Sequence, residues 1–508
     1  MTTVYHQIQG LYTAGDVLCA VDCVRALSEF QHVFFVNHDE GFDNRVFDML
    51  IGLGVTVHRQ SIITEADITP DLRLVLYHCV GNDDQRRGEY VRFRKEPSGV
   101  TLCAWLHTPG LCGGWSERYN YLNERGCSIL LFSSSFSLHS TPGIDLSRLR
   151  TRAIVHPIVD AEHYATVSRV SDSAFRIGRW SRGTDYKYSD DFLDLLTDID
   201  IPTSDFVCMG IPGKFRGRKL PPHVHLLENG TIPVEELLSQ LDILIFKTDE
   251  TRWHEGWCRT VTEAMAAGVV PVVENRGGLC DQIIHGYNGF LCDNYADFKK
   301  YCELLYYNPE LRAKMSANAR TFAHDYLSLT NLRSDLLRLI TPNEPRRLNL
   351  GCGNDIRSGY VNFDTYVFPG VDVVAALDPF YPQLPFADAE FDEIIAYHVL
   401  EHVANKPKII EEVWRIARNN AVIKIKLPDR NHGDAFLDPT HFSYWEVDTI
   451  DFYLPGHQRN YYSHAKFGLL RKHTTSREIY WELLAMRHRP ILNAESKSTS
   501  LASMRGNI

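Results

Sequence analysis

The chain has 508 residues, 44% of them hydrophobic and 23% charged, with a formal net charge of −11. At ~150 residues per domain that length holds three domains, each able to bury its own core. The average composition excludes a disordered scaffold, the acidic balance disfavours nucleic acid as a partner, and no run approaches the ~18 apolar residues of a membrane span.

The first residues, MTTVYHQIQG, have neither the basic start nor the apolar core of a secretory signal. The 12 cysteines form no CxxC pair, and several sit in apolar runs, as buried thiols do in a reducing compartment. A cytoplasmic protein is expected, with room for peripheral membrane contact through a surface patch. Its oligomeric state is not legible in the sequence.

Short β-branched and aromatic runs alternate with helical patterns: HVFFVNH, LRLVLYHCV, TLCAWLH and SILLFSSS first, then AFRIGRW, DFVCMGI, HVHLLE, DILIFK and VVPVVEN. Such alternation predicts α/β domains built on parallel sheets. The first is expected over 1–160 and the second over 161–340, closed by a helical stretch from Asp297 to Ile340. The prolines and polar residues of TPNEPRR mark a linker at 341–345. A third cycle, RLNLGCG, YVNFD, VDVVAAL, FDEIIAYHV, the helical KPKIIEEVWRIARNN and AVIKIKLP, occupies 346–492, and 493–508 read as a flexible tail.

In HEGWCRTVTEAMAAGVVPVVENRGG, Glu255 and Glu263 are separated by seven intervening residues, with a helix beginning between them and a buried strand after it. The amides of Trp257, Cys258 and Arg259 at that helix start suit a diphosphate, because unpaired N–H groups and the helix dipole favour anions. Glu263 can accept hydrogen bonds from ribose hydroxyls, and Glu255 can reach the donor sugar. The two carboxylates then serve hydroxyls, and sugar transfer is expected to need no metal.

These residues resemble the retaining glycosyltransferases of family 4, with their E-x7-E motif in the second half of a GT-B fold. The resemblance spans about residues 1–340 and includes GGLCDQIIHGYNGFL downstream and IPVEELLSQLDILIF upstream. It implies a nucleotide-diphosphate sugar as donor and two phosphate-binding cations after the first strand of the second domain. FRIGRWSRGTDYKY offers Arg182 and Lys187 for these, with Arg179 as substitute. It also implies that His107, in AWLHTPG, lies near the reacting sugar, and that Gly15, in GLYTAG, lets a ligand approach the backbone. Alone, His107 reads more often as a satisfied strand-end histidine, and Arg182 and Lys187 equally as exposed loop charges.

In RRLNLGCGNDIRSGYVNFDTY an apolar strand runs into Gly351-Cys352-Gly353, and a second strand ends in Asp364. Glycines let a cofactor approach the backbone, and an acid at the next strand end can bind two ribose hydroxyls. With LPFADAEFDEIIAYHVLEHV, the segment from about 346 to 470 resembles class I S-adenosylmethionine-dependent methyltransferases, particularly those found with sugar-polymer enzymes. The resemblance implies that Gly351, Cys352 and Gly353 flank the methionine part of S-adenosylmethionine, that Asp364 holds its ribose, that Asp388 borders the adenine and that His398 lines the methyl-transfer pocket. The short connection from Gly353 to Asp364 leaves space for one helical turn. A dinucleotide oxidoreductase is the rival, but Asn354, Asp355 and Ile356 follow Gly353 where GxGxxG would continue.

Past the fifth strand, LPDRNHGDAFLDPTHFSYW gathers His432, Asp434, Asp438 and His441. His441 is the preferred general base for an acceptor hydroxyl. The same cluster offers metal-ligand chemistry, but Asp-Pro-Thr-His is equally a capped turn, and no metal ligand is assigned. Together the modules suggest a bifunctional enzyme that adds a sugar to a glycan or glycolipid acceptor and methylates a sugar hydroxyl. A nucleobase or protein acceptor is the alternative, as is one module serving only as a binding platform, against which the intact motifs in both halves argue.

Overall fold

The computed structural model describes residues 2–11, 15–39, 41–78, 97–107, 127, 129–140, 151–170, 174–202, 204–340, 344–457 and 463–487. By its contacts the chain divides into two compact units, 1–151 with 155–340, and 152–154 with 341–508. The linker residues 341–343 and the tail lie outside the described residues.

The first unit contains two α/β sheets. One holds β1 (Thr3–Ile8), β2 (Gln31–Val36), β3 (Thr56–Arg59), β4 (Leu72–His78), β5 (Thr101–Leu106) and β6 (Ile129–Phe132), in the order β3-β2-β1-β4-β5-β6, while β7 (Thr151–Ile154) falls at the division of the chain into its units. The other holds β8 (Phe175–Trp180), β9 (Ser204–Met209), β10 (Val224–Leu227), β11 (Ile243–Phe246), β12 (Val270–Glu274) and β13 (Phe290–Cys292), ordered β10-β9-β8-β11-β12-β13. Every registered pair in both sheets is parallel. This is the doubly wound arrangement expected, with ligand sites at the carboxyl ends of the strands.

The strand β1 was not expected, because His6 and Gln7 interrupt its apolar pattern. It is buried along its whole length beside β2 and β4. Its polar side chains are accommodated by hydrogen bonds: Gln7 Nε2 donates to Phe35 O at 3.1 Å, and Gln7 Oε1 accepts from the Ile63 amide at 2.9 Å. The stretch Asp297–Ile340 is three helices, Tyr295–Tyr307, Pro309–Tyr326 and Leu329–Ile340, broken by Pro309 at a helix start.

The second unit carries β14 (Arg347–Leu350), β15 (Val361–Asp364), β16 (Val373–Val374), β17 (Phe391–Tyr397), β18 (Ala417–Pro428), β19 (Phe467–Thr474) and β20 (Glu478–Ala485), ordered β16-β15-β14-β17-β18-β20-β19. β14 to β18 pair in parallel, whereas β20 runs antiparallel to β18 and β19 antiparallel to β20. The closing hairpin was not foreseen, nor that the expected helix over 406–420 stops at Ile416 and passes straight into β18. The run VDVVAAL yields a two-residue edge strand, and no helix forms between Gly353 and Asp364.

All three units of sheet are α/β. Every described cysteine is buried, as small apolar residues would be. No helix among the described residues is long and apolar enough to cross a membrane.

Candidate active sites

In the first unit, Gly277-Gly278 packs directly on the loop before the helix Arg259–Ala267. Gly277 has φ +63°, and a Cβ there would meet Glu255 O at 2.6 Å; at Gly278 one would meet Gly256 O at 1.9 Å. Only glycine permits this approach. The Gly278 amide donates to Glu255 O at 2.7 Å, which fixes the backbone of Glu255.

Glu255 is buried, and its Oε1 accepts from Lys187 Nζ, whose ammonium also lies 4.5 Å from the Trp253 ring centroid. Two residues selected from separate motifs thus meet. Glu263, also buried, accepts from Trp180 Nε1 at 3.1 Å, and burial pushes its carboxyl pKa up against the pull of Arg259. Arg182 is exposed, close enough to Asp16 to act on it electrostatically.

Two expectations fail here. Arg179 is fully buried, donates to Lys247 O and Lys187 O, and stacks on Tyr188 and Phe246, so it braces the loop and cannot substitute at the phosphates. The Cys258 amide does not face a ligand either: it donates to Gln282 Oε1 at 3.2 Å, while Gln282 Nε2 returns a bond to Cys258 O at 2.8 Å. Trp257 is buried and stacks on His156 at 4.2 Å between centroids. The helix proper begins at Arg259, whose guanidinium pairs with Asp22 at 2.7 Å and donates to Ile158 O at 2.8 Å. Gly15 lies beside it, an added Cβ falling 3.6 Å from Arg259 Cδ. The other residues of the glycine loop, 12–14, lie outside the described residues.

His107 closes a row of four histidines. His32 Nε2 faces Leu27 O at 3.0 Å, His6 Nε2 faces His32 Nδ1 at 3.0 Å, His78 Nε2 faces His6 Nδ1 at 3.1 Å, and His107 Nε2 faces His78 Nδ1 at 3.2 Å. A carbonyl only accepts, so neutral His32 must carry its proton on Nε2, and every ring after it must do the same. Burial keeps the row neutral: it lowers the pKa of all four, that of His78 to about 3. His107 Nδ1 is therefore an acceptor, buried and without a partner among the described residues. It can receive a hydroxyl hydrogen but cannot donate one. Sequence reasoning found His107 and missed its three supports and Asp22, since each is an isolated polar residue in an apolar element.

In the second unit the carboxylate of Asp364 accepts from the Gly353 amide at 2.7 Å through Oδ2 and from the Tyr366 amide at 2.9 Å through Oδ1. The acid at the strand end thus shapes the glycine loop that it was expected to serve. Gly351 has φ +64°, and a Cβ there would strike Val399 Cγ2 at 2.2 Å. Cys352 is buried in that loop, its amide donating to Phe363 O at 2.9 Å. Asp388, expected to border the adenine, pairs through its carboxylate with Arg415 at 2.9 Å and lines a groove of about 820 Å³ with Lys408 and Glu412. Its side chain is thus engaged in an ion pair.

His398, at φ +56° just after β17, lines a separate cavity of about 640 Å³ with Glu401, His402, Asp438, His441 and Glu478. His398 Nε2 lies 3.0 Å from Glu478 Oε1, and the nearby Glu401 carboxylate, with that of Glu478, raises its pKa against burial. His441 Nδ1 donates to Ala435 O at 2.9 Å, which leaves Nε2 as its lone-pair nitrogen. Asp434 bonds with His432 and Arg477, each at 3.3 Å. Glu401 and His402, which sequence reasoning quoted within HVLEHV without assigning, complete the wall.

Comparison with known proteins assigns both halves. Residues 214–322 match the family described as glycosyl transferases group 1, and residues 348–425 match a methyltransferase domain. The chain therefore combines two transferase enzyme domains. Over 115 residues it is 28% identical to the putative glycosyltransferase YtcC of Bacillus subtilis (strain 168), covering 22% of this chain and 28% of that protein. Among solved structures, Anabaena Alr3699/HepE in complex with UDP-glucose superposes with a TM-score of 0.52 at 15% identity, over 66% of this chain and 99% of that one. A glycosyltransferase from Rickettsia africae ESF-5 gives 0.51 at 12% identity, over 67% and 97%. The first unit thus has the GT-B fold.

Proposed function

We propose that this chain is a bifunctional enzyme of glycan assembly, transferring a sugar from a nucleotide-diphosphate donor with retention and a methyl group from S-adenosylmethionine to a sugar hydroxyl. The observations that carry the reading are the contact of Lys187 with Glu255 and the buried Glu263 held by Trp180 in one unit, and the Asp364-held glycine loop in the other. Lys187 and Arg182 hold the donor phosphates, Glu263 the ribose, and Glu255 the sugar, which His107 meets as an acceptor of its hydroxyl hydrogen. The UDP-glucose complex of the Anabaena relative in fold favours a uridine diphosphate sugar as the first donor to try.

In methyl transfer the acceptor oxygen bonds to the methyl carbon as the carbon–sulfur bond breaks, and S-adenosylhomocysteine leaves. The hydroxyl proton goes to a group in the His398–His441 cavity, for which the Nε2 lone pair of His441 is suited. Domain boundaries at 160 and 340–346 follow from the same reading. Mass spectrometry of products from a panel of nucleotide sugars and glycan acceptors, with and without S-adenosylmethionine, tests it. The expected product gains one sugar and, with the cofactor, 14 mass units for one methylene. A protein that binds no nucleotide sugar or no S-adenosylmethionine overturns the corresponding half.

A further inference from the structure

Glu401 is only 1% exposed, and neither of its carboxylate oxygens has a hydrogen-bond partner among the described residues. An uncompensated buried carboxylate costs several kcal/mol, so such a group implies a cation. The nearest side-chain cation is His398, with Nδ1 3.5 Å from Oε1 and its other nitrogen turned to Glu478. That contact serves one oxygen at the limit of hydrogen-bond distance and leaves the other bare.

Two histidines stand beside this carboxylate. One ligand atom each from Glu401, His402 and His441 lies within 4.8 Å of the other two. His441 donates Nδ1–H to Ala435 O at 2.9 Å. His402 Nδ1 lies 3.2 Å from Thr440 O and 3.0 Å from Thr440 Oγ1, whose own hydrogen is given to Asp438 at 2.6 Å; Nδ1 therefore carries the proton. Both Nε2 atoms are thus unprotonated in the neutral rings, and both rings are oriented from behind by backbone carbonyls, as metal-binding imidazoles are. The backbone fixes the set as well: Glu401 O accepts from Phe442 and Ser443 at 2.9 and 3.0 Å, stapling the loop of His441 to the turn of His402.

We propose that Glu401, His402 and His441 bind one divalent transition-metal cation at the wall of the 640 Å³ cavity, with open positions for acceptor oxygens. The site deepens the methyltransferase reading and rests on it for its use. The cation holds the acceptor hydroxyl and lowers its pKa. The hydroxyl proton passes to Asp438, whose Oδ2 is 3.8 Å from His441 Nε2, as the oxygen takes the methyl carbon and sulfur keeps the electrons of the broken bond. His441 is then a ligand in place of the general base.

The test is titration of the chelator-stripped full chain with Co²⁺, followed by visible absorption, with S-adenosylmethionine binding measured on the same samples. The expected result is a d–d band saturating at one equivalent without a thiolate charge-transfer band. Glu401→Gln and His441→Asn should each weaken it by at least about ten-fold while leaving S-adenosylmethionine binding intact. Absence of binding, or binding unchanged in both variants, overturns the site. A thiolate band places the metal instead at Cys19, His78 and His107, and also overturns it. Metal binding that depends on Glu401 in a protein that takes no S-adenosylmethionine supports the cation site and removes the methyltransferase reading alone.

Discussion

Arg259 and Asp22, 237 residues apart in sequence, form an ion pair of 2.7 Å in which both side chains are nearly withdrawn from solvent. Burial pushes the Asp22 carboxyl pKa up while Arg259 and Arg25 pull it back. The pair joins the helix Gly15–Ala26 to the start of the helix Arg259–Ala267. Asp22→Asn leaves the guanidinium buried beside Glu263 without its main partner and should destabilise the first unit by about 3–5 kcal/mol. Denaturant unfolding of the full chain reads this. A loss under about 1 kcal/mol would show that Ile158 O and Glu263 suffice.

Glu263→Ala should weaken binding of UDP-glucose, taken as the probe donor, by roughly 1.5–3 kcal/mol, the range for hydrogen bonds to a charged group. S-adenosylmethionine binding should not change. Calorimetry showing unaltered donor affinity in a folded variant removes Glu263 from the nucleotide site and leaves its bond to Trp180 as its whole role.

Asp364→Ala should reduce S-adenosylmethionine affinity by about ten-fold or more, since it removes ribose acceptors and frees the Gly353 amide. Asp364→Asn keeps one carbonyl acceptor and should fall between the two. Equal losses in both variants would mean that charge, rather than the loop geometry, carries the effect. Unaltered affinity in the alanine variant would end the assignment.

The histidine row predicts acid sensitivity. His6, His32, His78 and His107 have lowered pKa values in the folded state, His78 down to about 3, against an ordinary 6.5. Between these limits the unfolded chain binds more protons, so stability rises with pH: the contribution is complete above ~6.5 and is lost as pH falls. From pH 7 to pH 5 the loss is roughly 2 kcal/mol for each ring that stays neutral. Thermal unfolding across that window should show it, and His6→Gln, which can donate and accept along the same line, should flatten the slope. A slope equal to that of the parent would refute the neutral row.

The strands richest in β-branched and aromatic residues, such as β11 and β12, were legible because a fully buried parallel strand needs an unbroken apolar run. β1 was not, because its polar side chains are paid for by partners 26 to 72 residues away. The same difference separates the site residues. Glu255, Glu263, Gly351 and Asp364 stand in local motifs that carry their own geometry. Asp22, Gln282 and the histidines behind His107 act through contacts that no local spacing encodes. Arg179 had the right chemistry for phosphate but a buried guanidinium already donating to backbone carbonyls, and Cys258 had the right position at a helix start but an amide already taken by Gln282.

The row of histidines ends at the carbonyl of Leu27, which takes no proton at neutral pH. Charge arriving at His107 has nowhere to leave from the far end, so the row is a dead-end street for protons. Every hop inward must run back along the same hydrogen bonds, so each Nε2 hydrogen returns to its own ring and none is replaced through the row. In deuterated water the four Nε2 positions should therefore exchange only when the row itself opens, and together rather than one by one.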